Sequence, residues 1–265
     1  MLTKTEFNQR NQLEKKTTQV FEKTQPPKDY LRVVLIALLV IASFLLGKMS
    51  TGPEQKTVAN LPAANNLPVA TPQPTIDPSK VDKLAVTDHL RGDKNARFQL
   101  IVYSDLECPF SKKFQTTIKQ ASDQYKNQVA VVYRHFPLDQ IHSKTRKEAQ
   151  ATECAAKLAG NEGFWRLTDK IYETTNSNNS LDLTTLPTLA VQVGLDKVAF
   201  QSCLDSDSVA QTVEAQYQSG VRAGVSGTPG SFLVDSRTGT VKFISGAQPL
   251  EQLKSLIDSA LSQQQ

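Results

Sequence analysis

Apolar residues first concentrate in Leu31–Gly47, an almost uninterrupted hydrophobic run flanked by Arg32 and Lys48. It is at the short end for a membrane span, and the two basic side chains can snorkel to extend it. The next buried-strand signal is Phe98-Gln99-Leu100-Ile101-Val102-Tyr103, apolar at nearly every position. That composition predicts a strand covered on both faces. After Ser104–Glu107, apolar residues recur at helical spacing as Phe110, Phe114, Ile118, Ala121 and Tyr125. Pro109 suits the first position of that helix, where its missing N–H would have no partner anyway. Val129–Phe136 reads as a second buried strand. Strand, helix and strand at this spacing make a βαβ unit with parallel strands. Helical patterns then fill 143–159, 162–174, 183–193, 196–204 and 207–223, punctuated by Gly160, an Asn/Ser loop at 176–180 and Gly194. Ser231–Asp235 and Val241–Ile244 read as a hairpin turning over Arg237–Thr240. Leu250, Leu253, Leu256, Ile257 and Leu261 mark a last amphipathic helix.

This pattern divides the chain into four parts. Residues 1–30 are polar and charged without apolar periodicity, as expected of a disordered cytoplasmic tail. Residues 31–49 are expected to be an uncleaved transmembrane signal anchor, because the segment before them is longer than a signal peptide's and no small-residue cleavage site follows closely. Lys4, Arg10, Lys15, Lys16, Lys23, Lys28 and Arg32 precede the span, which places the N-terminus in the cytoplasm and the remainder outside the cell membrane. Residues 50–80 are rich in Pro, Ala, Asn and Thr, a Pro-rich linker that reaches up to about 90 Å in polyproline geometry. Residues 81–265 are expected to form one α/β domain with a helical insertion over about 141–223.

The net charge of +4 carries no basic stripe through the folded part, which argues against nucleic-acid binding. Three histidines, with no Cys-x-x-Cys or His-x-x-x-His pair, give little support for a metal site. An odd count of three cysteines in an exported chain points to one disulfide and one free thiol. Cys108 is the natural free thiol: it stands where a helix begins, beside unpaired backbone N–H groups and the positive end of the helix dipole. Such a position stabilises a thiolate and makes the sulfur nucleophilic. His135 is read as a structural, hydrogen-bonded histidine, His89 and His142 as surface or loop residues, and Asp105 and Glu107 as a solvated turn. Trp165 with Phe164 is assigned to the core of the insertion.

Several motifs in order carry a family resemblance: Asp88-His89 with Arg91-Gly92, Tyr103-Ser104-Asp105 leading to Glu107-Cys108-Pro109-Phe110, then Tyr133–Leu138, Glu153-Cys154-Ala155, Phe164-Trp165 and Gly227-Thr228-Pro229. Over about residues 84 to 261 the chain resembles the DsbA-like branch of the thioredoxin fold, the extracytoplasmic thiol:disulfide oxidoreductases. The resemblance implies a thioredoxin fold with a helical insertion. It also implies a cis Pro229 packed against Cys108, and a Thr228 backbone able to pair with extended substrate. It further implies a non-catalytic disulfide between Cys154 and Cys203, the alternative being two buried thiols. Phe110 either lines the substrate groove or packs on the proline loop.

The sequence departs from the family's Cys-Pro-x-Cys pattern at Ser111. A serine can neither resolve a mixed disulfide nor store an internal one, although it can donate a hydrogen bond toward the Cys108 sulfur. The expected site is therefore Cys108, Pro109, Phe110 and Ser111, with Thr228, Pro229 and Phe110 receiving protein thiols or disulfides. No cofactor is implied, and a membrane redox partner or small thiol would recycle the cysteine. Three readings remain: monothiol exchange, a redox-silent peptide-binding module, and a covalent tether to one partner chain.

Overall fold

The computed structural model describes residues 75–262. Five strands form one mixed sheet in the order β1-β3-β2-β4-β5, with β1 at His89–Arg91, β2 at Phe98–Ser104, β3 at Val129–His135, β4 at Gly230–Asp235 and β5 at Val241–Ser245. β2 and β3 run parallel from Phe98↔Val129 to Ser104↔His135, joined by α1 (Pro109–Gln124). The other pairings are antiparallel. Between β3 and β4 lie α2 (Thr145–Thr174), α3 (Leu186–Gln192), α4 (Lys197–Asp205) and α5 (Ala210–Arg222); α6 (Leu250–Ser262) closes the domain.

The continuous apolar run in β2 has a direct cause. Phe98, Leu100 and Val102 join one core with Phe114 and Ile118 of α1 and Leu253 and Ile257 of α6, whereas Ile101 and Tyr103 join a second core with Phe136, Ala223 and Phe232. Alternate side chains of a strand face opposite ways, so a strand covered on both faces has no polar face. α5 reaches this second core because Gly220 has no side chain: a Cβ there would lie 2.6 Å from the Phe136 ring and 2.9 Å from the Tyr103 ring.

Two sequence-predicted helices, 143–159 and 162–174, are the arms of α2, which bends at Ala159 and Gly160 without separating. β1 gives no clear signal in the sequence because it is three residues long and carries His89 and Arg91. Ordered packing also extends into the expected linker. Asp77 N–H donates to Ala223 O at 3.0 Å, and Gly224, at φ +82°, leaves room for the Thr75 carbonyl. Arg134 fixes the following residues with all five of its donors, which reach Asp88 (2.9 and 2.8 Å), Tyr103 Oη (3.0 Å) and the carbonyls of Asp82 (3.1 Å) and Lys83 (3.0 Å).

Among the described residues no helix is long and apolar enough to cross a membrane. The stretch 31–49, with the tail and most of the linker, lies outside the described residues.

Candidate active site

β2 ends in a buried turn, and Cys108 is the N-cap of α1, extended at φ −78° and ψ 122°, with Pro109 following at the first helical position. Cys108 N–H donates to Asp105 O at 3.2 Å, and its carbonyl accepts from Lys112 N–H at 3.0 Å, opening the helix. The Thr228–Pro229 peptide is cis. Cys108 Sγ donates to Thr228 O at 3.3 Å, so the sulfur and the loop entering β4 are in contact. Pro229 O in turn accepts from Gly246 N–H at 3.0 Å, tying that loop to the end of β5. Cys108 is 4% exposed and is a free cysteine.

Ser111 is 2% exposed and occupies the same first turn of α1. Its Oγ accepts from Asp105 N–H at 3.4 Å, and no hydrogen bond joins it to Cys108 Sγ. The expected support of the sulfur by Ser111 is therefore corrected: the hydroxyl turns back toward the strand end. Phe110 is 63% exposed on the helix beside Cys108, and Ile141 is 64% exposed on the loop after β3 that is bonded to Asp105. Nothing in the periodicity singles out Ile141.

Asp105 and Glu107, expected in a solvated turn, are buried. Asp105 accepts from Glu107 N–H (2.7 Å), Thr145 Oγ1 (2.8 Å) and Leu138 N–H (2.8 Å), and pairs with His142 Nδ1 at 3.0 Å. His142, expected as a surface or loop residue, does lie in the loop after β3 but is buried there. Glu107 accepts through its carboxylate from Thr175 Oγ1 (3.2 Å), Asn179 N–H (2.7 Å), Ser180 N–H (3.3 Å) and Leu181 N–H (3.2 Å), and through its carbonyl from Asn178 N–H (2.8 Å). The insertion loop 175–181 and the loop after β3 thus close over the turn. These contacts span about 30 to 70 residues of chain, so no local pattern announces them.

Glu148 of α2 is fully buried. Burial pushes its carboxyl up to about 10, helped by the hydrogen bond and charge of Glu107 and the charge of Asp105. The unfolded chain binds fewer protons at this group between the ordinary glutamate range and about 10, so this residue makes stability fall as pH rises through that interval. Glu148→Gln removes the ionisable group. Its melting temperature relative to wild type is expected to rise from about pH 5 to about pH 8, as thermal unfolding at several pH values would show. A constant offset would contradict the assignment.

A second buried network lies between β1, β3 and α2. His89 and His135 both pair with Glu153, at 3.1 and 3.2 Å, and His89 stacks on Phe164 at 3.7 Å. Burial alone would raise the Glu153 carboxyl, but the hydrogen bonds from His135 and His89 outweigh it and hold it down at about 2. His135 is thus a structural histidine, as the sequence predicts, whereas His89 is buried rather than on the surface. Cys154, next along α2, forms a disulfide with Cys203 of α4, with Cα atoms 5.8 Å apart. Among the described residues no cluster of His, Cys, Asp or Glu is arranged to hold a metal.

A cysteine at the N-cap position of a helix, its thiol in contact with the carbonyl before a cis-proline, on a sheet with a helical insertion after β3, defines the DsbA-like class of thioredoxin-fold proteins. The chain belongs to the thioredoxin family: residues 84–259 match the family model described as Thioredoxin. Among solved structures it is similar to Pseudomonas aeruginosa DsbA2, with 27% identity and a TM-score of 0.58 over 69% of this chain and 98% of that one. The oxidised BdbD of Bacillus subtilis shares the fold at 20% identity and a TM-score of 0.57, over 65% and 92% of the two chains. Curated relatives include a Na(+)/H(+) antiporter NhaA of Herminiimonas arsenicoxydans, 30% identical over 166 residues, which are 62% of this chain and 24% of that protein. NhaA 1 of Mycolicibacterium gilvum is 32% identical over 109 residues, 41% of this chain and 17% of that one. The match therefore spans a quarter or less of these two relatives' length.

Proposed function

We propose that this chain performs thiol–disulfide exchange on protein substrates through Cys108 alone, from an extracytoplasmic domain anchored in the cell membrane by residues 31–49. The observation that carries the reading is the contact of Cys108 Sγ, at the N-cap of α1, with Thr228 O before the cis-proline. An extended substrate segment pairs with the Thr228 backbone and brings a disulfide against the sulfur. The Cys108 thiolate attacks one substrate sulfur, forming a mixed disulfide while the substrate S–S bond breaks. The departing sulfur leaves as a thiolate and takes up a proton from solvent. Since Ser111 has no sulfur, release falls to another thiolate. One from the same substrate isomerises it with no net electron transfer; two small thiols reduce it by two electrons. The anchor is supported by the apolar run Leu31–Gly47 and by the basic residues that precede it.

The test is mass spectrometry of Cys108 in full-length protein from native membranes after acid quenching. Mixed disulfides with many proteins are expected, and Cys108→Ala should eliminate them. The low exposure of Cys108 favours a second reading, a groove that binds extended polypeptide without exchange. A thiol recovered free, with no adducts, would establish that reading instead. A single fixed partner would show a covalent tether and also overturn exchange.

A further inference from the structure

The loop that brings Thr228 to Cys108 has little hold of its own. It leaves α5 after Arg222 and enters β4 at Gly230. Among the described residues, the N–H groups of Ser226, Gly227 and Thr228 find no hydrogen-bond partner. The place of Thr228 O, which accepts from Cys108 Sγ at 3.3 Å, therefore depends on what fixes the two ends of the loop. The later end is tied by Gly246 N–H, which donates to Pro229 O at 3.0 Å. The earlier end is the corner where α5 stops, and the segment Thr75–Asp77 crosses it. That crossing is close. Gly224 turns the corner at φ +82°, and a Cβ there would overlap Thr75 O and lie 2.8 Å from Ile76 Cα. Asp77 N–H donates to Ala223 O at 3.0 Å, satisfying one of the carbonyls that a helix leaves free at its C-terminus. Ile76 is half-buried against the second core, of which Ala223 and Val225 are members. Val225 is itself held, with its N–H on Gly220 O at 2.9 Å, and a Cβ at Gly230 would lie 3.1 Å from Val225 Cγ1, so the loop arches tightly over this side chain.

We infer that Ile76 and Asp77 are positioning residues for the Cys108 site: they fix the corner from which the loop springs, and through it set Thr228 against the sulfur. The rest of the segment is anchored separately, by Asp82 on Arg222 at 2.6 Å and by Arg134 on the carbonyls of Asp82 and Lys83. Loss of the Ile76 contact therefore frees the corner and leaves the following residues in place. An extended polypeptide needs the Thr228 backbone at a fixed position in order to pair with it, whereas a disulfide without a peptide backbone does not. The segment thus acts on the capture of polypeptide rather than on the chemistry of the sulfur. Its effect on exchange rests on the proposed role of Cys108; its hold on the loop does not.

The test is made on the full-length chain with Ile76→Asp, which sets a charge against the second core, and with the conservative Ile76→Val. Hydrogen exchange is expected to show the Asp77 and Val225 amides opening together in Ile76→Asp, with the β2–β3 ladder unchanged and Ile76→Val like wild type. Single-turnover formation of the Cys108 mixed disulfide is then followed with a linear peptide dimer joined by one disulfide, and with hydroxyethyl disulfide. For Ile76→Asp the half-saturating peptide concentration is expected to rise about tenfold, while the maximal rate and the rate with hydroxyethyl disulfide stay within about twofold of wild type. An Asp77 amide released with peptide kinetics unchanged would overturn the inference and leave the exchange standing. So would an Asp77 amide that keeps its protection, or an equal loss with both disulfides, which marks general damage to the site. Ile76→Ala, which brings no charge to the core, is read by the same criteria if Ile76→Asp does not fold. If the Asp77 and Val225 amides open together while wild-type Cys108 forms no mixed disulfide with the peptide, the proposed exchange fails and the hold on the loop stands.

Discussion

Ser111→Cys is expected to give the Cys108 site the second sulfur it lacks and to make the chain a dithiol oxidant. Positions 108 and 111 bracket the first turn of α1, at the N-cap and third helical positions. Residues three apart on a helix lie about 5–6 Å apart, within the span a disulfide needs. In the oxidised variant, a substrate thiolate would attack Cys108 Sγ, break the internal S–S bond and release the introduced sulfur as a thiolate. A second substrate thiolate would then attack the mixed disulfide, so that the substrate loses two electrons and the pair gains them. Oxidised glutathione would reload the pair. The cost to the fold is small, because Ser111 contributes only one long hydrogen bond, 3.4 Å from Asp105 N–H. The measurement is oxidation of a reduced dithiol peptide with oxidised glutathione present, with wild type and Cys108→Ala plus Ser111→Cys as controls. Turnover confined to the single Ser111→Cys variant is expected. A variant that forms its disulfide but cannot pass it on would count against Cys108 as an exchange centre.

Replacing both Cys154 and Cys203 by alanine is expected to cost about 4 kcal/mol of stability. The bridge closes a loop with a sequence separation of 49, and the chain-entropy model gives about that value for a loop of this length. Both cysteines belong to the larger hydrophobic core, so truncation to alanine adds some lost packing. Such a loss is a large share of the about 5–15 kcal/mol that holds a typical domain together. At this size it corresponds to a fall of about 8–16 °C in melting temperature. Urea unfolding of the variant beside the wild type would measure it. A loss below about 1 kcal/mol would mean that the helices carrying the bridge are already held by their packing, and that the cross-link adds little.

What the chain determines by itself is whatever depends on neighbours in sequence. The alternating cores of β2 draw on every residue of Phe98–Tyr103 except the half-buried Gln99, and this nearly continuous apolar run makes the strand and its two-sided burial legible. A proline after a cysteine at the start of a 3.6-residue pattern locates the helix opening. The fourteen residues from Phe98 to Ser111 therefore disclose both the strand and the thiol it presents. Gly160 marks in advance the place where α2 bends. Hairpin and final helix follow the same local logic.

Tertiary structure alone decided the surroundings of that thiol. Asp105 and Glu107 have the composition of an exposed turn, and nothing nearby in sequence covers them. They are buried because Leu138, His142, Thr145 and the 175–181 loop, all distant in sequence, arrive as donors. A charged group's burial depends on whether partners come to meet it, and hydrophobic periodicity carries no information about such partners. The same holds for His89, which enters the interior only because Glu153 and Phe164 lie across from it. Ser111 illustrates the division most simply: the sequence shows that the second sulfur is missing, and only the folded chain shows its hydroxyl bonded to Asp105 rather than to Cys108. The identity of an atom is written locally, but the direction in which it points is set by everything packed around it.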